Sequence, residues 1–296
     1  MFYLLNKPKG RSSFAIINSF AKENMIKKIG HTGTLDPLAS GLLLVATDDD
    51  TKLIPYIKHN NKSYVATIQF GKQTDTYDSE GIVINSSEYK LTDNNVLKVC
   101  KWLESQTEQI PPSFSAKKIS GIRSYNLARS GKEVKLQKQP IKVFSAKIIS
   151  FNIEKQQLVI YVDVSKGTYI RSLVNDLGLY LNTYAYMTEL DRVKIGNLDI
   201  SLLNGNGFVA ISDNHLFSIP YYEPSISEIN KLKNGINIIN NKNIANGDYI
   251  LKTKQINWGI ISVDNEIVKV KKLFGKRINE IEKGVSDDQN WNTKQY

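Results

Sequence analysis

The amino-acid sequence predicts an α+β fold, because segments with strand periodicity alternate with segments with helical periodicity. Residues 64–70 alternate from one face to the other with a period of two, as a strand with one buried face does. Residues 158–164 form a second apolar strand, and a turn at 165–167 separates it from apolar residues at helical spacing between 173 and 181. The 296 residues suffice for one large domain together with a small one.

Three further elements follow from local signals. Ser12 can cap a helix whose apolar face lies within residues 16–21. Another helix is predicted to begin at Thr92, and Cys100 falls on its apolar stripe, which predicts a buried structural thiol. Near the C-terminus, apolar segments on both sides of residues 264–265 predict a hairpin.

The composition indicates a polyanionic partner. Lys and Arg number 39 against 29 acidic residues, a net charge of +10, and such a surplus favours nucleic acid first and an anionic membrane second. The single cysteine excludes an internal disulfide, and with only three histidines it also excludes a Cys/His zinc cluster. Neither a signal-peptide core nor an apolar run of membrane-spanning length is found, so a cytoplasmic location without membrane attachment is expected.

Positive charge is concentrated in residues 117–147, which contain nine basic residues and one acid. Taken alone, such a run is a solvated lysine-rich face. Together with the overall surplus, it favours an arm that grips RNA or DNA through phosphates. The side chains expected to contact the RNA backbone are Lys117, Lys118, Arg123, Arg129, Lys132 and Lys135.

Chemistry is suggested by residues 30–41, which read Gly-His-Thr-Gly-Thr-Leu-Asp-Pro-Leu-Ala-Ser-Gly. The glycines and the proline impose an irregular backbone that can bring His31 and Asp36 into one cleft. In isolation, each of these two residues is more simply an ordinary loop residue.

In context, this segment resembles the catalytic motif of the TruB-type tRNA pseudouridine synthases. Four further segments resemble parts of the same family in the same order along the chain. They are residues 4–13, 62–78, 111–125 and 165–171. The resemblance therefore does not depend on one motif.

The resemblance implies the pseudouridine synthase fold, with a central mixed, largely antiparallel sheet and a cleft across it. It implies a catalytic domain at 1–222 that carries a tRNA-gripping insertion at about 111–147. Beyond residue 222 the family usually ends in a small β-barrel of the PUA type. Residues 223–282 are compatible with a short PUA-like RNA-binding domain or with another β-rich cap, and residues 283–296 are expected to form a flexible tail.

The resemblance also implies roles for individual residues. Asp36 matches the catalytic aspartate, a nucleophile that attacks either the ribose or the base. Arg171 matches the arginine that pairs with it, and a planar guanidinium suits a carboxylate partner. Tyr64 matches the residue that packs against the flipped base, and Leu190 matches an apolar substrate contact. Tyr169 matches a second pocket tyrosine and is a candidate acceptor of the C5 proton.

Supporting roles are expected at five more positions. His31 matches the histidine that enters the space left by the extruded nucleotide. Lys7 and Pro8 are expected to brace the catalytic loop rather than react. Asp75 and Asp78 are expected to make structural turn contacts. No metal or cofactor is expected, because the isomerisation is redox-neutral and no second ligand accompanies His31.

One position departs from the family pattern. The family commonly continues Leu-Arg-Arg, whereas this chain reads Leu190-Asp191-Arg192. The exchange of a base for an acid puts one phosphate or substrate contact at residue 191 in doubt. The chemistry is expected to survive it.

The expected activity is the conversion of uridine to pseudouridine in the TΨC loop of tRNA, at conventional position 55, without an obligatory protein partner or guide RNA. An additional tRNA-folding role is compatible with it. Two other classes remain open: a non-catalytic RNA-binding protein and a guide-RNA-dependent synthase. The intact candidate active-site residues argue against the first, and the basic insertion argues against the second. A uracil C5-methyltransferase is disfavoured, because its cysteine nucleophile would have to be Cys100.

The basic arm can be tested by its salt dependence. Replacing Lys132, Lys135 and Lys138 together with neutral residues should weaken tRNA binding and flatten the dependence of log K on log salt concentration, because each lost phosphate contact removes a released counterion. The single-turnover rate at saturating enzyme should change much less. An unchanged slope in binding titrations would identify the run as a solvated face.

Overall fold

The computed structural model describes residues 1–58, 61–112, 136–213 and 216–281, together with two short strands at 118–119 and 122–123. This part of the chain forms two compact units. The first comprises Met1–Ile54 and the described residues up to Ser212, and the second comprises Pro55–Lys58 and the described residues from Asp213 onward. The predicted tail at 283–296 lies outside the described residues.

The second unit begins before the predicted boundary at residue 222 and also includes a segment from far upstream. That segment belongs with it because Ile57 pairs with Phe217, and the amide of Lys58 donates to the carbonyl of Leu216 at 2.8 Å. Such a backbone pairing between distant segments has no signal in the local sequence.

The strands of the first unit are numbered β1 to β15. They are β1 (Phe2–Lys7), β2 (Ile29–His31), β3 (Ser40–Thr47), β4 (Lys62–Phe70), β5 (Lys72–Thr74), β6 (Val83–Ser86), β7 (Glu108–Gln109), β8 (Lys118–Ile119), β9 (Ile122–Arg123), β10 (Gln139–Pro140), β11 (Val143–Asn152), β12 (Gln157–Val164), β13 (Ala185–Ile195), β14 (Leu198–Asp199) and β15 (Phe208–Ile211).

Nine of these strands form one sheet, in which seven follow the order β11-β12-β4-β13-β3-β1-β15, while β2 pairs with β3 and β14 pairs with β13. The β13–β3 pair is parallel and the others are antiparallel. This architecture confirms the expected mixed, largely antiparallel sheet. Three short antiparallel pairs lie beside it, namely β5–β6, β7–β10 and β8–β9.

The helices of the first unit are α1 (Ser13–Glu23), α2 (Asp93–Val96), α3 (Val99–Glu104) and α4 (Ile170–Tyr180). Short 3-10 helices cover Asp48–Tyr56 and Ile200–Leu203. The predicted capping residue Ser12 accepts from the amide of Ala15 at 3.1 Å, so the first helix begins where expected. Among the described residues, no helix is both long and apolar enough to cross a lipid bilayer.

The helix predicted from Thr92 is divided into α2 and α3. Thr92 is the N-cap of α2, which ends at Val96. Leu97 and Lys98 then separate it from α3, which begins at Val99. Val99 and Leu103 take the buried face of α3, which leaves Cys100 only partly buried against the core. The prediction of a buried thiol was therefore too strong, because the interruption breaks the apolar stripe on which it depended.

The core of the first unit lies between the sheet and its helices. Alternate residues of β4 and β12 point into it together with apolar residues of α4. The strand alternation seen in the sequence is thus the alternation between core and opposite face. Since Tyr64 is one of these inward residues, the same periodicity brings an aromatic ring to the edge of the candidate site.

The second unit is a small β-domain. Its elements are β16 (Tyr221–Tyr222), α5 (Ile226–Leu232), β17 (Ile238–Ile239), β18 (Gly247–Thr253), β19 (Ile256–Asp264) and β20 (Ile267–Leu273), followed by a helical segment at 275–281. The sheet order is β16-β18-β19-β20-β17, and Trp258 is buried at its centre. The hairpin predicted around residues 264–265 is confirmed as β19–β20. A C-terminal β-domain is therefore present, and its PUA-like character stays a prediction.

The close approach of α4 to β13 can be tested at Gly178. A Cβ atom there would lie 2.5 Å from the amide nitrogen of Ala185 and 2.8 Å from its Cβ. Gly178→Ala should lower the free energy of unfolding by about 1–3 kcal/mol through overpacking, although alanine is the better helix former. Denaturant unfolding measures the change. Gly207→Ala is the control, since nothing lies within 4 Å of the added methyl group, and an equal loss in both variants would contradict this packing.

Candidate active site

The loop that carries Asp36 connects β2 to β3 and is fixed from two sides. Ser13, the first residue of α1, donates its hydroxyl to the carbonyl of Leu35 and accepts from the Leu35 amide, both at 2.8 Å. The amide of Gly10 donates to the carbonyl of Pro37 at 2.8 Å, and that of Ala39 to the carbonyl of Asp36 at 3.1 Å. The backbone on both sides of Asp36 is therefore held by hydrogen bonds.

Lys7 braces the same loop from inside the protein. It is fully buried, and its Nζ donates to the carbonyls of Pro8 at 2.9 Å, Pro37 at 3.2 Å and Ala39. Burial lowers the pKa of Lys7 to about 8, and the nearby Asp36 carboxylate works in the opposite direction. Lys7 thus binds the loop directly, whereas Pro8 contributes a carbonyl acceptor to Lys7; their supporting role stays a prediction.

Arg171 joins two carboxylates inside the protein. It lies in the first turn of α4 with its side chain 6% exposed, and its Nη2 is 2.9 Å from Oδ2 of Asp36. Its Nη1 lies 3.3 Å from Oδ2 of Asp78 and donates to the carbonyl of Thr76 at 3.0 Å. The Asp36 side chain is 40% exposed whereas that of Asp78 is 3% exposed. Asp36 is therefore the carboxylate that a substrate can reach, and the buried Asp78 binds the guanidinium within the protein.

A strained turn presents Asp78 to Arg171. Tyr77 has a φ of 62°, in the left-handed region that non-glycine residues seldom adopt. The amide of Met187 in β13 donates to the carbonyl of Tyr77 at 3.0 Å. The carbonyl of Met187 in turn accepts from the amide of Ser79, also at 3.0 Å. On its other oxygen, Asp78 accepts from the hydroxyl of Thr76 at 2.6 Å and from the amide of Glu80 at 3.0 Å. The turn was expected to be structural, and its contact with Arg171 also makes it part of the site.

Asp36 opens onto a cavity of about 260 Å³. Tyr64 of β4 and Leu190 of β13 form an apolar part of its wall, and both are largely buried. They lie on adjacent strands, because Ala66 is the direct partner of Leu190 in the sheet. Tyr169 and Arg171 line the cavity from the start of α4. The structure thus brings together Asp36, Tyr64, Tyr169, Arg171 and Leu190.

Tyr169 is held through its backbone by Gln109, which is buried. The Tyr169 amide donates to Oε1 of Gln109 at 2.6 Å, and Nε2 of Gln109 donates to the Tyr169 carbonyl at 3.2 Å. In β10, directly opposite Gln109, Gln139 donates to the carbonyl of Gly167 at 2.8 Å. β7 precedes the basic insertion in sequence and β10 lies in its C-terminal part, so the chain is attached to the cavity wall at both places.

Positive charge lines another part of the cavity. Lys62 of β4 and Arg192 of β13 are both buried, and Lys166 is exposed on the turn that precedes α4. Burial, together with the charges of Arg192 and Lys166, lowers the pKa of Lys62 to about 7. The same cavity is therefore lined by the Asp36–Arg171 ion pair and by a separate group of cations.

Other predicted residues lie outside this arrangement. His31 ends β2 next to the lining residue Thr32 and is exposed. Partial desolvation, and the charges of Arg192 and Lys62, lower its pKa. Lys118 and Arg123 are partners in the β8–β9 pair. The predicted RNA contacts Lys117, Arg129, Lys132 and Lys135 lie outside the described residues. Lys138 forms an ion pair with Glu108, so its charge is partly offset.

Asp191, which departs from the family pattern, has a local structural contact. Its Oδ1 accepts from the hydroxyl of Ser40 at 3.1 Å, where β13 runs parallel to β3. Gly41 lies beside it with a φ of 98°, and a Cβ there would come within 2.4 Å of Asp191 Oδ1 and of the Arg192 carbonyl. The acid thus helps to join the two strands that carry the Asp36 loop and Arg192.

The sequence analysis missed Lys62 and Arg192 as members of the cavity wall, and it gave Asp78 no part in the site. A signal existed for Lys62, because the period of two in β4 puts it on the same face as Tyr64. The sequence contained no such signal for Asp78, because its position depends on the left-handed conformation of Tyr77, which sequence patterns do not predict. In the described chain, no group of three or more His, Cys, Asp or Glu side chains is arranged to hold a metal ion.

The arrangement suits nucleophilic chemistry on a flat substrate. The guanidinium orients the Asp36 carboxylate while part of that carboxylate stays accessible, as an attacking group requires. Tyr64 and Leu190 offer an apolar surface for a ring. The cavity volume fits one nucleotide-sized group rather than a polymer.

Comparison with known proteins gives a consistent family. Residues 22–170 match the model of the TruB family pseudouridylate synthase (N terminal domain). The tRNA pseudouridine synthase B of Mycoplasma mobile is 43% identical over 282 residues, which cover 95% of this chain and 97% of that protein. The protein of the same name from Mesomycoplasma hyopneumoniae is 41% identical over 284 residues, which cover 95% and 85%.

Solved structures agree with the fold. A crystal structure of a Cbf5–Nop10–Gar1 complex matches with a TM-score of 0.63 at 19% identity, over 92% of this chain and 84% of that chain. An archaeal box H/ACA sRNP Nop10–Cbf5 complex matches with a TM-score of 0.61 at 19% identity, over 92% and 86%. At this identity the likeness shows the fold alone, and it confirms the predicted fold class. The family model and the near full-length relatives show that this chain belongs to the TruB family of pseudouridylate synthases.

Proposed function

We propose that this pseudouridine synthase converts uridine to pseudouridine in the TΨC loop of tRNA, at conventional position 55. The tRNA substrate is supported by relatives named tRNA pseudouridine synthase B that cover most of the chain. The observation that carries the chemistry is the Asp36 carboxylate, held at 2.9 Å by a buried arginine and open to the cavity.

Asp36 acts as the nucleophile. In the reaction the bond between N1 of uracil and C1′ of ribose breaks, a bond between C5 and C1′ forms, C5 loses a proton and N1 gains one. A carboxylate can assist by attacking either C1′ or the base, and either adduct frees the ring to turn. Tyr169 lines the same cavity and is the proposed acceptor of the C5 proton.

The target nucleotide must leave the RNA stack to reach Asp36. Tyr64 receives the extruded base on its ring, with Leu190 as an apolar contact. His31, exposed beside the cavity, fills the gap that the nucleotide leaves. An aromatic ring in that gap offsets part of the unstacking free energy, which is a few kcal/mol.

The enzyme is proposed to act without a guide RNA or an obligatory protein partner. The basic segment at 117–147, attached to the cavity wall through Gln109 and Gln139, would supply the RNA contacts that other systems obtain from partners. Because such contacts hold RNA irrespective of chemistry, a tRNA-folding activity would persist in a catalytically inactive variant.

Purified protein incubated with 5-tritiated tRNA tests the proposal. Release of tritium into water is expected, because C5 loses its proton. Binding without release would favour the non-catalytic RNA-binding protein. Tritium release only after RNA or protein from a cell extract is added would favour the guide-RNA-dependent synthase.

Asp36→Asn should abolish turnover, because the amide keeps the shape and loses the nucleophilic charge. The affinity for tRNA should change by less than tenfold, about 1.4 kcal/mol. Asp75→Asn is the matched control, since this carboxylate accepts only a turn amide, that of Ile82 at 2.9 Å, among the contacts described, and an amide oxygen can replace it. Residual turnover above a tenth of wild type in Asp36→Asn would mean that another group is the nucleophile.

Arg171→Lys should lower the single-turnover rate by on the order of a hundredfold or more, about 3 kcal/mol of transition-state stabilisation. The charge is kept, but one ammonium group cannot hold Asp36 and Asp78 in the geometry of a planar fork. Binding of tRNA should change far less than the rate. Near-normal turnover in this variant would show that the pair does not orient the nucleophile.

A further inference from the structure

The cations of the cavity form a group without carboxylate partners. A Cβ atom on Gly33 would lie 2.5 Å from Nζ of Lys62 and 3.7 Å from Nη1 of Arg192, so both cationic groups lie against the same point of the backbone. Arg192 is completely buried, and Lys62 is 6% exposed. Within the described part of the chain, neither they nor Lys166 form an ion pair with an acidic side chain.

Two polar atoms at this place have no hydrogen-bond partner among the described residues. Arg192 donates from Nε to the carbonyl of Leu42 at 2.7 Å and from Nη2 to that of Gly33 at 3.0 Å, but its buried Nη1 is unsatisfied. The hydroxyl of Thr32 is also buried and unsatisfied. Nζ of Lys62 has only a long contact, 3.5 Å, to the carbonyl of Thr32. All three residues line the cavity.

Such an arrangement is unfavourable in the free protein. Buried polar groups are normally hydrogen-bonded and buried charges are normally paired. Here two cations are buried side by side, and the pKa of Lys62 is lowered to about 7 by burial and by Arg192 and Lys166. An anion that entered the cavity would satisfy the free donors and compensate the charge.

We propose that Lys62, Arg192 and Lys166 form a binding site for a backbone phosphate next to the target uridine. The inference rests on the proposed function, because that function brings a flipped nucleotide into the cavity, and a flipped nucleotide carries its flanking phosphates with it. The donors fit a phosphodiester, since a guanidinium, an ammonium group and a hydroxyl are the groups that proteins use for phosphate oxygens. The site lies in the same cavity as Asp36, so it would fix the sugar relative to the nucleophile.

The proposal is tested with a TΨC stem-loop in which one phosphate is replaced by an uncharged methylphosphonate, 5′ or 3′ of the target in separate RNAs. Lys62→Met should weaken binding of the unmodified RNA by about tenfold or more. For the wild-type protein, a methylphosphonate at one of the two positions should weaken binding by a similar factor. If Lys62 contacts that phosphate, the two losses should not add when combined.

Lys155→Met is the matched control. Lys155 is exposed in the turn between β11 and β12, at the end of β4 opposite Lys62, about 23 Å away at 3.3 Å per residue. Its effect on binding should be small and should add to that of the methylphosphonate. The proposal would be overturned if the loss of affinity in Lys62→Met added to that of the methylphosphonate at both the 5′ and the 3′ position. It would also be overturned if Lys62→Met lowered the reaction rate without changing binding, because this would indicate a contact of Lys62 with the uracil ring.

Stability provides an independent readout that separates an anion site from a structural role. With a folded-state pKa of about 7 against 10.5 for the ordinary side chain, Lys62 binds fewer protons in the folded than in the unfolded state between these pH values. The free energy of unfolding therefore rises as the pH increases through this window. Lys62→Met should be more stable than wild type at pH 6.5, and its stability should rise less between pH 6.5 and 9.

The other titrating groups nearby do not change this comparison. Lys7, with a pKa of about 8, titrates in both proteins, and the lowered pKa of His31 lies below the window. A Lys62→Met variant that is less stable than wild type at pH 6.5 would overturn the proposal. A wild-type protein that does not bind or modify the unmodified stem-loop would instead refute the proposed function.

Discussion

The interaction on which the site depends is the sharing of one buried guanidinium by two carboxylates. Arg171 lies at the start of α4, and it reaches Asp36 on the β2–β3 loop and Asp78 on a turn anchored to β13. An arginine buried without partners would be strongly unfavourable, so the two acids stabilise Arg171 where α4 packs against the sheet. The orientation of Asp36 is consequently determined by three segments that are distant in sequence.

The central strands explain how one small cavity can combine opposite charges. The β4–β13 pair contributes Tyr64 and Leu190 to the apolar wall and Lys62 and Arg192 to the cationic wall, while the loop before β3 contributes Asp36. A nucleotide has the same division, with a flat base, a reactive sugar and an anionic phosphate. Under the proposed function, the apolar wall would face the base, Asp36 the sugar or the base, and the cationic wall a phosphate.

Much of the fold could be predicted, since it follows from periodicity. The alternation in β4 and the spacing in α4 predicted elements that the structure contains, and the resemblance to a family predicted the sheet that joins them. The boundary of the second unit could not be predicted, because it depends on a pairing between Ile57 and Phe217. Asp36 and Arg171 were recognised from motifs, whereas the contact of Asp78 with Arg171 depends on a left-handed turn at Tyr77 that sequence patterns do not reveal.

The central proposal is that Arg171 and Asp78 act as one unit in holding Asp36. It is tested most directly by the single-turnover rates of wild type, Arg171→Lys, Asp78→Asn and the double variant on the same tRNA. If the three side chains form one unit, each single substitution disorders the same carboxylate, and the double variant should be no more than a fewfold slower than the slower single variant. Losses that multiply, so that the double variant is slowed by the product of the two single effects, would show that Asp78 and Arg171 act independently and would contradict the account.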